Sequence, residues 1–184
     1  MNTRLPCRQH GITLVEVLIV LAIVAVLVRV AAPGLGETVD AVRLRAASSQ
    51  LLAELNHART EAIRRNARVV LCKSRDGESC TDDGRWDQGW IVFHDSNNNA
   101  LRDSGETLLR SVQGAAEGLR IVGNDQVADY VSFSGFGGAR LTGGGFQAGT
   151  ITVCRASARP VEGRQLIVNA VGRARLQKAA LEHC

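Results

Sequence analysis

The residues Gly11-Ile12-Thr13-Leu14-Val15-Glu16 open an apolar run, GITLVEVLIVLAIVAVLVRVAAPG over residues 11–34. Across 12–32 the only formal charges are Glu16 and Arg29, and across 17–28 there is no polar side chain. A helix over 12–32 would measure about 30 Å, the depth of a bilayer's hydrocarbon core. Arg4 and Arg8 precede it without an acid, which keeps the short leader in the cytoplasm and sends the body across. The expected location is therefore the inner membrane, single-pass, with the C-terminal domain in the periplasm. A secretory signal peptide would share the basic start, and Ala31 and Ala32 suit a cleavage site, but a carboxylate inside the apolar region counts against it. Cys7 precedes the run, where a lipoprotein would need it to follow. A plain anchor leaves Glu16 unexplained, since an acid within the membrane costs about 2.5 to 3.5 kcal/mol on insertion scales.

Beyond the run, the chain of 184 residues, 45% apolar and 22% charged, is long enough for one well-buried domain and excludes a disordered protein. Its 19 glycines and 3 prolines lack a collagen repeat, and a net charge of +4 permits a nucleic acid or acidic membrane partner without requiring one. In residues 38–66 the positions Val42, Ala46, Leu51, Leu52, Leu55, Ala58 and Ala62 recur at helical spacing, so an amphipathic helix over 33–66 continues the first. Pro33 and Gly34 predict a kink or loosening near 33–36. Arg59, Arg64, Arg65 and Arg68 crowd the helix end, where cations suit its dipole, and read as capping and solvating charges.

After Asn66 the pattern turns extended. Runs at 69–72, 90–94, 107–112, 119–122, 130–133, 150–154 and 165–168 are rich in β-branched residues and punctuated by glycine and asparagine. The fold expected is α+β: a long N-terminal helix packed on an antiparallel sheet domain at 67–184. Gly135, Gly137, Gly138 and the glycines at 143–145 lack a nucleotide-loop pattern and read as loop residues. Once Cys7 is set aside, Cys72, Cys80, Cys154 and Cys184 form an even set suited to disulfides. The nearer pairing closes a hairpin from Cys72 to Cys80 and leaves Cys154 with Cys184, although four cysteines allow three connectivities. A bridge between the last two would contribute about 3 to 4 kcal/mol. No CxxC spacing supports zinc, and with His10 set aside in the short leader only His57, His94 and His183 could assist, so neither metal nor cofactor is expected. With no carboxylate pair and no nucleophile beside a base, the chain does not read as an enzyme.

The Gly11-Ile12-Thr13-Leu14-Val15-Glu16 stretch, its apolar helix and Pro33 resemble the class III leader and N-terminus of type IV pilins and type II secretion pseudopilins. The resemblance implies a leader at 1–11, cut after Gly11 by a prepilin peptidase, and N-methylation of Ile12, where the family usually has phenylalanine. It also implies that Glu16 serves filament assembly by pairing with the N-terminal amine of a neighbouring subunit. A buried carboxylate becomes tolerable when another chain supplies the cation. The implied partners are other pilin subunits, contacted through the N-terminal helix, and the inner membrane before assembly.

The segment Gly89-Trp90-Ile91-Val92-Phe93-His94-Asp95 with Asn97, Asn98, Asn99, Asp103, Gly105 and Glu106 resembles the FimT and GspH minor pilins, as does Arg64-Arg65-Asn66-Ala67 leading into Cys72. This implies a minor or initiating subunit at the filament tip. Asp95, Asn97, Asn99, Asp103 and Glu106 also match a calcium-loop spacing, but Ala100 stands where the sharp turn needs glycine, and a hairpin connection is the preferred reading. In the tail, Arg155, Arg159, Arg164, Arg173, Arg175 and Lys178 outnumber Glu162 and Glu182. Gly172-Arg173-Ala174-Arg175 resembles the GRxR motif associated with DNA binding in FimT-type pilins of transformable bacteria. In an extended chain both arginines point to one side about 6.5 to 7 Å apart, close to phosphate spacing. Gly172 would let the main chain approach a phosphate and donate its own N–H, and Lys178 would extend the footprint, with Arg155 or Arg159 if the fold brings them near. Double-stranded DNA, contacted without sequence preference, is the expected ligand. A GspH-like pseudopilin of type II secretion, or a purely structural subunit, is the alternative.

Overall fold

The computed structural model describes residues 13–184, without the side chains of 30–35 and 37. The leader at 1–11, with Gly11, and the Ile12 that follows it lie outside the described residues. The chain divides into two compact units, Met1–Val39 and Asp40–Cys184.

A single helix, α1 (Leu14–Arg65), supplies the described part of the first unit and enters the second. Its backbone stays helical through Pro33 and Gly34, so the loosening expected near 33–36 does not interrupt the helix. A proline removes one intrahelical hydrogen bond, and the turns on either side retain theirs. In the first unit Leu14, Val15, Val17 and the apolar residues after them through Val28 are all exposed. Among the described residues no helix is long and apolar enough to cross a membrane. The span expected over 12–32 includes Ile12 and the side chains of 30–32, which lie outside that description.

In the second unit α1 buries Ala47, Ser48, Leu51, Leu55, Ala58 and Ala62. At 100° per residue these lie within about 60° of Leu51, whereas Ala46 falls roughly 140° away and Val42 on the opposite side. Both accordingly face outward, and Val42 is 58% exposed, a correction to the expected stripe. Leu44 packs against the core in their stead.

The strands are β1 (Val69–Lys73), β2 (Gly89–His94), β3 (Leu108–Gln113), β4 (Leu119–Gly123), β5 (Tyr130–Phe133), β6 (Gly149–Arg155), β7 (Val161–Val168) and β8 (Ala174–Leu181). The expected sheet resolves into two four-stranded antiparallel sheets, ordered β3-β2-β1-β5 and β4-β6-β7-β8. One face of each packs with α1 in a common core: Leu71, Trp90, Val92 and Phe133 from the first, Ile121, Ile151, Val153 and Leu166 from the second. The first sheet is covered on its other face too, where Val70, Cys72, Ile91 and Phe93 cluster with Ala100 of the 95–106 loop. Burial on both faces explains why β1 reads as continuous apolar sequence without alternation.

Polar groups drawn into the body are mostly matched. The Trp86 indole donates to the Val127 carbonyl at 3.0 Å, and buried Lys73 meets the Asp129 carboxylate at 2.7 Å and the Asp82 and Gly84 carbonyls. Disulfides join Cys72 to Cys80 and Cys154 to Cys184, with Cα separations of 5.6 and 6.0 Å, one of the three connectivities left open by the sequence. Within the first loop Asp76 accepts bonds from the Ser79 hydroxyl and N–H, the Glu78 N–H and the Ser74 hydroxyl, which hold its carboxyl far below the usual range.

The arginines at the end of α1 divide by role. Arg64 and Arg65 both grip Glu61, at 2.7 and 2.8 Å, and hold its carboxyl down at about 2. Arg68 reaches the Ser132 hydroxyl and Leu141 carbonyl, and Arg59 donates to the Gly137 and Val171 carbonyls at 2.9 and 3.2 Å. Arg59 thus ties two distant loops to the helix, and Arg68, just past the helix end, holds β5 and the segment after it, where the sequence suggested only capping and solvation.

Candidate functional site

At the start of α1 the Thr13 hydroxyl accepts the Glu16 N–H at 3.3 Å, one half of a capping box, and Thr13-Leu14-Val15-Glu16 has the matching sequence pattern. Glu16 thereby sits in the first turn, where a carboxylate complements the helix dipole. Its surroundings on the helix are Val17, Val20 and Leu21, which line a shallow groove beside it. An exposed carboxylate on a helix whose next charge is Arg29 presents a polar address on a surface that water does not favour.

The tail motif occupies the β7–β8 hairpin. Val168 pairs with Ala174, and between them Asn169 organises the turn: its carbonyl accepts the Gly172 N–H at 2.8 Å and its side-chain oxygen accepts the Arg173 N–H at 2.8 Å. Gly172 has φ of +79° and is buried, and a Cβ there would run into the Gly137 carbonyl. Its role is thus to close the turn against the 134–138 loop. The expectation that its N–H is free for a phosphate is corrected, because Asn169 already holds it.

Arg173 leaves the turn and Arg175 follows on β8, the edge strand, and both are exposed. Ala174 and Leu176 pack against the core, so the odd-numbered residues face outward. Arg175 donates to Gln177 at 2.8 Å, and Gln177 to Gln165 at 3.1 Å, forming a polar row across that face. Lys178 stands on the other face, opposite Arg164, in a small groove with Ala41, Leu44, Arg45 and Glu162. The fold therefore joins Arg173 with Arg175 and separates Lys178 from them. Arg155 is ion-paired with Asp40, and Arg159 lies in the β6–β7 loop with its N–H and carbonyl on the Ser157 hydroxyl.

In the 95–106 loop the carboxylates are taken up by the loop itself. Buried Asp95 accepts the Asn99 and Ala100 N–H groups, and Glu106 accepts the Ser96 N–H and hydroxyl and the Asp103 N–H. Ala100 adopts a φ of +60° without glycine. Among the described residues no group of three His, Cys, Asp or Glu side chains is placed to hold a metal.

Sequence comparison completes the assignment. Residues 47–172 match the family model of the type II transport protein GspH, and residues 6–28 match the prokaryotic N-terminal methylation motif. The chain belongs to the GspH family. Pilin-like protein PilA1 of Thermus thermophilus is 37% identical over 98 residues, 53% of this chain and 56% of that protein, so the GspH-family chain spans about half the length of this curated relative. Among solved structures, the type IV minor pilin FimU of Pseudomonas aeruginosa aligns with a TM-score of 0.56 and 22% identity over 77% of this chain and 94% of FimU. The minor pseudopilin EpsH of the Vibrio cholerae type 2 secretion system aligns with a TM-score of 0.51 and 12% identity over 73% and 96%. These likenesses show the pilin fold, a helix packed on antiparallel sheet. With the family match they make this chain a GspH-family protein of pilin-like fold.

Two residues of the site escaped the sequence. Arg59 holds the 134–138 loop and the β7–β8 turn together from positions 78 and 112 residues away. Phe136, at the tip of that loop, is 94% exposed. No local pattern announces either.

Proposed function

We propose that the chain is a minor type IV pilin that captures DNA for uptake. It is made as a prepilin anchored once in the inner membrane through residues 12–32, with the body in the periplasm. Prepilin peptidase cleaves after Gly11, Ile12 is N-methylated, and Glu16 pairs with a neighbouring subunit's amine as the helix enters the filament. The body performs no catalysis. The observation that carries the DNA reading is the placement of Arg173 and Arg175, exposed and on one face of an edge strand, directly after a turn fixed by Asn169 and Arg59. Two guanidiniums so held can take phosphates of one backbone in any sequence.

A second reading, a GspH-like pseudopilin of a type II secretion system without DNA binding, is favoured by the family match itself. A mobility-shift titration of the mature full-length chain in detergent separates the two. The wild type is expected to bind duplex DNA regardless of sequence. Arg173→Gln with Arg175→Gln is expected to weaken binding and to lower the logarithmic salt dependence by roughly 2, one phosphate contact for each arginine. Equal binding by wild type and double variant would remove the DNA site and leave the secretion reading.

A further inference from the structure

Phe136 stands between Gly135 and Gly137 in a tight turn closed by the Gly137 N–H on the Ser134 carbonyl at 2.7 Å. Both flanks are fixed. A Cβ at Gly135 would fall 2.7 Å from the Asn66 backbone, and Gly137 takes a φ of +76° with its carbonyl on Arg59. The fixed backbone therefore carries the ring outward, 94% exposed. The other ring between β5 and β6, Phe146, is 64% exposed and has the Arg140 guanidinium over one face at 4.0 Å.

The turn bearing Phe136 abuts the arginine hairpin. Ala139 donates to the Ala170 carbonyl at 3.1 Å, Arg59 bridges the Gly137 and Val171 carbonyls, and Gly172 lies directly against Gly137. Phe136 and Arg173 are each one residue from that contact, which puts their Cα atoms within roughly 13 Å of each other. An outward aromatic face beside a pair of unneutralised guanidiniums matches the two parts of an unpaired nucleotide, a π-face and a phosphate. Duplex DNA presents only the second.

We infer that Phe136 is a stacking platform for an unpaired base, seated beside the phosphate grip of Arg173 and Arg175, so that this pilin holds single strands and frayed duplex ends more tightly than closed duplex. The inference rests on the DNA reading above. Presentation from a fixed backbone lowers the ordering cost of stacking, and the π-face of every base suits it, so the preference is for strandedness and not for sequence.

Fluorescence anisotropy of the mature full-length chain in detergent, with a labelled oligothymidine and a labelled hairpin duplex of equal charge, tests this. Phe136→Ala is expected to bind oligothymidine about 5- to 100-fold more weakly, with duplex affinity within about twofold of wild type. Phe136→Trp is expected to retain oligothymidine binding, and Arg173→Gln with Arg175→Gln to weaken both ligands. Unchanged oligothymidine binding by Phe136→Ala, or an equal loss on both ligands, overturns the platform while the phosphate grip stands. If wild type binds neither ligand, the DNA reading falls and the platform with it. A melting temperature unchanged by the substitution is expected, since the ring packs on almost nothing.

Discussion

Gly172→Val is expected to destabilise the second unit by about 3 kcal/mol and to abolish the proposed DNA contact without touching a charge. A β-branched residue at φ of +79° is a backbone outlier, and its Cβ would occupy the place of the Gly137 carbonyl. Relief requires the 134–138 loop to retreat, which takes Gly137 away from Arg59 and loosens the clamp that also holds Val171. Arg173 begins where that turn ends, so its guanidinium loses its fixed origin. The control is Gly143→Ala, between β5 and β6, where no heavy atom lies within 4 Å of the added Cβ and a change within about 0.5 kcal/mol is expected. Chemical denaturation of both variants checks the pair. Similar, small losses at the two positions would show that the glycine of the motif is not a structural part of the turn.

Removal of the second disulfide, by Cys154→Ser with Cys184→Ser, is expected to cost about 3 to 4 kcal/mol, because the bridge spans 30 residues and its loss frees a long loop in the unfolded chain. The native contacts it leaves behind are few: Ser157 and Cys184 exchange backbone bonds at 2.9 and 3.4 Å, and Arg120 donates to the Cys184 carbonyl. The short Cys72 to Cys80 loop, spanning 8 residues, contributes about 2.5 kcal/mol on the same account and keeps the Asp76 hydrogen bonds when opened. A urea midpoint that falls much further for the second bridge than for the first is the expected order. The reverse order would mean that the unfolded chain is not the state these bridges constrain.

Much of this was legible in the residues, and the gaps have physical causes. The apolar run and the acid within it are local signals, and β5 matches its expected bounds because Tyr130 to Phe133 is β-branched, aromatic and flanked by turns. The strand β8, ALQK-rich as ARLQKAAL, was absent from the expected runs, since its side chains suit helix as well as strand and its pairing with β7 sets its state. Val42 and Ala46 imitate the buried stripe by composition, but the angle around the helix excludes them. The side of Lys178 was readable by counting, because an odd step from Arg175 inverts the face of a strand. The clamp of Arg59 was not readable, since its partners are backbone carbonyls that any sequence supplies.

The central claim is that the bare apolar helix belongs to a processed filament subunit, and the start of the mature chain tests it most directly. Mass spectrometry of the N-terminal peptide, from protein isolated from its native host, is expected to find Ile12 first and bearing one added methyl group. A mature chain beginning at Met1, or just after Ala32, would contradict the account.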